Sequence, residues 1–121
     1  MKVLLVEDEI ALADVIARNI RARGHNVTTA TSAGAALSCV EAETPDVMVL
    51  DINLPDESGW EVLRRLGDKR DVIRVVVMSA APLSAKRLQE LKPARWFLKP
   101  FPWDALMRAL EGTPSEEPQE V

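Results

Sequence analysis

Three runs of consecutive apolar residues, Val3-Leu4-Leu5-Val6, Val47-Met48-Val49-Leu50 and Val75-Val76-Val77-Met78, set the pattern of this chain. Short runs with no polar interruption read as strands covered on both faces, the condition of central parallel strands. Two further stretches join them: Asn26 to Ala30, with alternating Val27 and Thr29, predicts a less buried strand, and the bulky Arg95 to Leu98 predicts a fifth. Between the strands the apolar residues fall at helical spacing. Ile10 to Arg23 carries Leu12, Val15, Ile16 and Ile20, with Arg18, Asn19, Arg21 and Arg23 facing away, and Gly24 closes the helix. Thr31 or Ser32 caps a second helix to about Glu43, with Ala33, Ala36, Leu37 and Val40 inward, and Thr44-Pro45 stops it. Trp60, Leu63 and Leu66 mark a short third helix from Gly59, ended by Gly67. Ser84 to Lys92 is a weakly amphipathic fourth with Leu88 and Leu91 inward, terminated by Pro93. Pro102 opens a fifth at its first position, lined inside by Trp103, Leu106, Ala109 and Leu110 and ended by Gly112.

Five strands alternating with five helices predict an α/β fold, a single doubly wound domain whose parallel sheet is covered on both faces. That domain accounts for residues 1–112, and the acidic, proline-containing stretch 113–121 is expected to be disordered. The length of 121 residues suffices for one sizeable core and not for two. Net charge of -4 and a pI near 5.0 argue against binding a phosphate backbone through bulk charge, so no direct nucleic-acid partner is expected. No apolar run approaches the roughly 18 residues of a membrane span, and the N-terminus lacks signal-peptide anatomy. A cytoplasmic location without a membrane partner is the expectation. Cys39, the sole cysteine, excludes an internal disulfide and reads as a small buried core residue; His25 reads as an exposed turn residue.

The chemistry gathers where the strands end. The first ends in Glu7-Asp8-Glu9, the third in Asp51, the fourth in Ser79 and the fifth in Lys99, all on the carboxyl edge where open α/β sheets bind ligands. Three converging carboxylates raise one another's pKa values unless a cation relieves them. With oxygen ligands only, the natural ion is Mg²⁺. Lys99 adds a mobile charge for Asp51 or a phosphoryl oxygen, and Pro100 behind it suggests a fixed turn, cis in the sharper version. These parts match phosphoryl transfer: Asp51 as nucleophile, Mg²⁺ and Lys99 neutralising the equatorial oxygens, Ser79 donating a hydrogen bond to one of them. Glu9, Asp56 and Glu57 read as solvated acids near a turn, and Trp60 and Trp103 as packing residues.

In order, Glu7-Asp8, Asp51 with Leu54-Pro55-Asp56 and Gly59, Ser79-Ala80 and Lys99-Pro100-Phe101 closely resemble the receiver domain of two-component response regulators, across essentially residues 1 to 112. No single element carries the resemblance; the order and spacing of the set do. It implies a flavodoxin-like strand order 2-1-3-4-5 and phosphorylation of Asp51 by a histidine kinase or histidine phosphotransfer protein. It also implies Mg²⁺ held by Asp8, Asp51 and the main-chain carbonyl of Asn53, with Glu7 acting largely through water. The function implied is that of a signalling receiver rather than a dedicated enzyme, whose altered face is read by a downstream output protein or domain. Ser79 and the aromatic at position 96 would form the switch. Here that aromatic is Trp96, where tyrosine or phenylalanine is usual, and Lys92-Pro93-Ala94-Arg95 stands in place of the usual Gly-Ala. Since overpacking a closed pocket is unfavourable, the larger ring is expected to sit outward as a contact on the partner face.

Three other readings fit less well. A flavin mononucleotide binder needs a hydroxyl- or glycine-rich loop after the first strand, where Glu7-Asp8-Glu9 would repel phosphate. An aspartyl-phosphate hydrolase wants a second acid two residues beyond the nucleophile, and position 53 is Asn. A receiver that binds partners without phosphorylation has no use for the intact set Glu7, Asp8, Asp51, Ser79 and Lys99.

Overall fold

A computed structural model describes residues 1–112; the expected disorder of 113–121 lies outside the described residues. Five strands, β1 (Lys2–Val6), β2 (Asn26–Ala30), β3 (Val47–Asp51), β4 (Arg74–Ser79) and β5 (Arg95–Leu98), form one sheet in the order β2-β1-β3-β4-β5. Every pairing is parallel. The connecting helices are α1 (Ile10–Ala22), α2 (Ala33–Ala42), α3 (Gly59–Leu66), α4 (Ala85–Leu91) and α5 (Trp103–Leu110). This is the doubly wound, flavodoxin-like arrangement expected from the sequence.

Side chains of a strand alternate between its two faces, so a strand with helices on both sides must be apolar at every position. Val3, Leu5, Val49, Val76, Met78 and Phe97 pack against α1 and α5, through Ile16, Ile20, Leu106 and Leu110. Their neighbours Leu4, Val6, Met48, Leu50, Val75 and Val77 pack on the other side against α2 and α3, through Val40, Leu63 and Leu66. Ser32 caps α2, its Oγ accepting from the Ala35 amide at 3.1 Å. Gly67 ends α3 at φ +57° and leads into a 3₁₀ turn, Gly67–Asp71, that the sequence pattern did not announce.

Several side chains sit differently from the sequence reading. In α1 the inward stripe is Ala13, Ile16, Ala17 and Ile20, and Val15 is exposed, because a 3.6-residue period aligns positions 13, 16, 17 and 20 on one side. Pro102 is the residue before the first turn of α5 rather than its first helical position. Trp103, at the first position of α5, is 36% exposed and meets the Phe101 ring edge-on at 5.8 Å. Cys39 is half-buried and lines a cavity of about 570 Å³ with Lys2, Thr28 and Pro45, beside the edge strand β2. His25 is half-buried too: its ring lies between the amino group of Met1 (3.1 Å) and the Glu111 carboxylate (2.8 Å), tying the start of β2 to the end of α5.

Candidate functional site

Strand register explains why residues far apart in sequence meet. Val6 lies beside Leu50, which brings the following residues Glu7 and Asp51 to the same edge; Ser79 lies beside Leu98, with Lys99 next. The four groups therefore end adjacent parallel strands, and the core below them keeps them in place. Glu7 is 1% exposed, Asp51 3% and Ser79 3%, and these are the buried polar residues among the described residues.

Lys99 joins the two buried acids, its Nζ donating to Glu7 Oε1 at 2.7 Å and to Asp51 Oδ2 at 2.9 Å. The second oxygen of Asp51, Oδ1, accepts from the Asn53 amide at 2.9 Å, and Glu7 Oε2 accepts from the Glu9 amide at 3.2 Å. Burial drives the Glu7 carboxyl up from 4.5 to about 7; Lys99 opposes this and Asp51 adds to it. For Lys99 burial favours the neutral amine, yet its hydrogen bonds to Glu7 and Asp51 outweigh burial and leave the ammonium harder to deprotonate. The Lys99-Pro100 peptide bond is cis.

Asp8 is exposed beside this pair, and one carboxylate oxygen from each of Glu7, Asp8 and Asp51 lies within 4.8 Å of the others. Three carboxylates facing one ammonium are under-compensated, and the neighbouring Asp51 adds to the rise that burial causes in the Glu7 pKa. An all-oxygen donor set with excess negative charge fits a hard divalent cation. Around the acids, Ser79 Oγ donates to the Ala81 carbonyl at 2.7 Å and accepts from the Ala81 amide at 3.2 Å, a local turn that holds the hydroxyl. The loop after Asp51 closes through a bridge between Asn53 and Ser58 and a bond from the Gly59 amide to the Ile52 carbonyl at 2.8 Å. Gly59 is forced by contact: a Cβ there would sit 2.6 Å from the Asp51 carbonyl oxygen and 2.8 Å from Ile52 Cα, both main-chain atoms.

Trp96 is separate from the acids. Rather than standing outward, its ring is half-buried, packed with Leu88 and Leu91 of α4 against the core. With Ala85, Leu88, Gln89, Lys92 and Pro93 it lines a cavity of about 330 Å³, because an indole covers apolar surface that α4 leaves open. Its Nε1 is buried without a hydrogen-bond partner among the described residues. The sequence reading missed Asp56, taken for a solvated acid. Its carboxylate accepts from the Ala33 and Gly34 amides at 2.9 and 3.0 Å, and those bonds hold its pKa below the usual range. Only the folded chain brings that loop to α2, and no local motif marks the pairing.

Solved structures share this architecture. A response regulator receiver domain protein from Methanospirillum hungatei JF-1 superposes with a TM-score of 0.84 at 23% identity, covering 91% of this chain and 90% of that one. The non-phosphorylated HemR receiver domain from Leptospira biflexa gives 0.81 at 26%, covering 91% and 90%. The response regulator TrrA from Thermotoga maritima, in complex with Mg²⁺-BeF, gives 0.81 at 23%, covering 91% and 96%. Among curated proteins, the probable transcriptional regulatory protein TcrX of Mycobacterium tuberculosis is 35% identical over 101 residues, 82% of this chain and 43% of TcrX. The response regulator PmrA of Pseudomonas aeruginosa is 33% identical over 108 residues, 88% of this chain and 49% of PmrA. The chain thus spans about half the length of the curated relatives it matches. No helix among the described residues is long and apolar enough to cross a membrane. The family model for the response regulator receiver domain matches residues 3–111, and the chain belongs to that signalling family.

Proposed function

We propose that residues 1–112 act as a phosphoacceptor unit in a two-component pathway, taking a phosphoryl group on Asp51 from a histidine kinase or histidine phosphotransfer protein. The observation that carries this reading is the buried Asp51 carboxylate held between Lys99 Nζ at 2.9 Å and the Asn53 amide at 2.9 Å, at the carboxyl edge of the sheet beside the exposed Asp8. An Asp51 oxygen attacks phosphorus, the P–N bond of the donor phosphohistidine breaks, and its electron pair leaves on the imidazole nitrogen. Lys99 turns part of its charge from the acids to a phosphoryl oxygen, and Ser79 releases the Ala81 carbonyl to donate to another. Asp8, Asp51 and the Asn53 carbonyl would hold Mg²⁺, with Glu7 behind them; the ion, when bound, supplies the charge that neutralises the phosphoryl oxygens. The Mg²⁺-BeF complex of the relative TrrA supports this choice of ion.

Phosphorylation would then shift Ser79 and the packing at Trp96, altering a face read by a downstream output protein or domain in the cytoplasm. Neither nucleic acid nor membrane is a direct partner of this unit. Incubation with acetyl phosphate and Mg²⁺ tests the reading by intact mass. The wild type should gain one phosphate and Asp51→Asn none; equal gain in both would move the chemistry to another residue.

A further inference from the structure

The first three amides of α2, those of Ala33, Gly34 and Ala35, have no intrahelical partners, and all three are satisfied by side chains. Ser32 caps one of them, its Oγ accepting from Ala35 at 3.1 Å, while its carbonyl takes the first helical bond, from Ala36 at 3.0 Å. The other two amides, of Ala33 and Gly34, are satisfied by Asp56, which arrives from the loop after β3, more than twenty residues later. The negative carboxylate also faces the positive end of the helix dipole. Gly34 presents no side chain toward this carboxylate; a Cβ there would lie 3.6 Å from Asp56 Oδ2.

The same loop carries Asn53, whose amide bonds the acceptor oxygen Asp51 Oδ1 at 2.9 Å. One end of the loop is fixed by β3 and the other by Gly59 pressed on the Asp51 carbonyl. Between them the Asn53 and Ser58 bridge closes the loop on itself, leaving its outer tip, Pro55 to Glu57, exposed or half-buried. Within that tip Glu57 pairs with Arg65 of α3 at 2.9 Å, and Asp56 is the side chain that reaches α2, with two bonds to one helix end.

We propose that Asp56 is a positioning residue: by clamping the 52–58 loop to the start of α2 it sets the Asn53 backbone against Asp51, and so prepares the acceptor for Mg²⁺ and phosphoryl group. This rests on the phosphoacceptor reading above. Capping α2 would stabilise the fold in any case, so stability alone does not test the clamp. Ser32→Ala provides the contrast, because it removes a cap from the same helix without touching the loop.

Three quantities separate the roles in the full chain: the exchange rate of the Asn53 amide without metal, Mg²⁺ affinity by intrinsic Trp fluorescence, and the rate of phosphorylation by acetyl phosphate. Asp56→Ala should speed Asn53 exchange and weaken Mg²⁺ about ten- to hundredfold, as expected when the support behind a ligand is lost. Asp56→Asn, which keeps one acceptor oxygen, should fall between it and wild type, and it serves alone if the alanine variant does not fold. Ser32→Ala should lower the unfolding midpoint and leave the other three readouts at wild-type values. Wild-type Asn53 exchange and Mg²⁺ affinity in the Asp56 variants, or equal losses in Ser32→Ala, would overturn the clamp. A wild-type chain that takes no phosphoryl group would overturn the phosphoacceptor reading instead, while Asn53 exchange would still decide whether Asp56 positions the loop.

Discussion

The third and fourth helices lie on the same face of the sheet, each following a strand that ends at the site, yet they are held very differently. In α3, Gly59, Trp60, Val62, Leu63 and Leu66 are all buried, and the helix begins in contact with the Asp51 main chain. In α4 none of the seven residues is buried; Leu88 and Leu91 reach the core only partly, and the helix ends at Lys92 in a left-handed conformation, φ +42°, before Pro93. Local opening is easiest where few apolar contacts anchor an element. Asp51 is thus backed by a firmly seated helix, and Ser79 is followed by a loosely seated one. The phosphoacceptor function proposed above, which holds one carboxylate still while a neighbouring surface changes shape, would gain from that division.

The contrast is broken most directly by truncating one leucine on each helix. Leu63→Ala should cost about 2–5 kcal/mol, the range for a buried leucine, whereas Leu88→Ala should cost roughly 1–2 kcal/mol because its side chain is only partly covered. Urea unfolding of both variants measures the difference, and equal losses would mean that α4 is as well anchored as α3.

On the Asp51 side, seating comes with a buried ionisable group, Glu7, and pH reads it. Glu7, its carboxyl raised from 4.5 to about 7, binds its proton more tightly in the folded than in the unfolded chain. Folded protein therefore holds the extra proton between those two values, so the Glu7 contribution to stability is present at low pH and is lost as pH rises toward about 7. Without metal, the stability difference between wild type and Glu7→Gln should change across that window and level off above it. A difference that stays constant with pH would remove the charge argument.

The smallest effect is expected at Trp96. Trp96→Phe gives up some buried area but also removes a buried N–H without a partner, a group whose isolation costs about 1–3 kcal/mol. The two nearly offset, and stability should stay within about 1 kcal/mol of wild type by the same unfolding measurement. A large loss would show the indole to be a core element, and α4 would then be better anchored than its leucines indicate.

What the sequence by itself determined is the alternation of elements and the set of residues at the sheet edge. A strand covered on both faces needs an unbroken apolar run, and the first polar residue after that run is where it leaves the core. Glu7, Asp51, Ser79 and Lys99 were legible for that reason, and parallel strands put all four on one side. The tertiary structure alone decided how these groups pair: Lys99 bridges Glu7 and Asp51 instead of choosing one, and Glu7 is buried in direct contact with it. It also decided that Asp56 caps a helix more than twenty residues upstream, that Trp96 rests against α4, and that Val15 and Trp103 face out. Periodicity is a local property, written in residues three or four apart. Partners such as the Ala33 and Gly34 amides are main-chain groups with no side-chain signature, and they reach Asp56 only once strand register and helix packing have fixed where each loop ends.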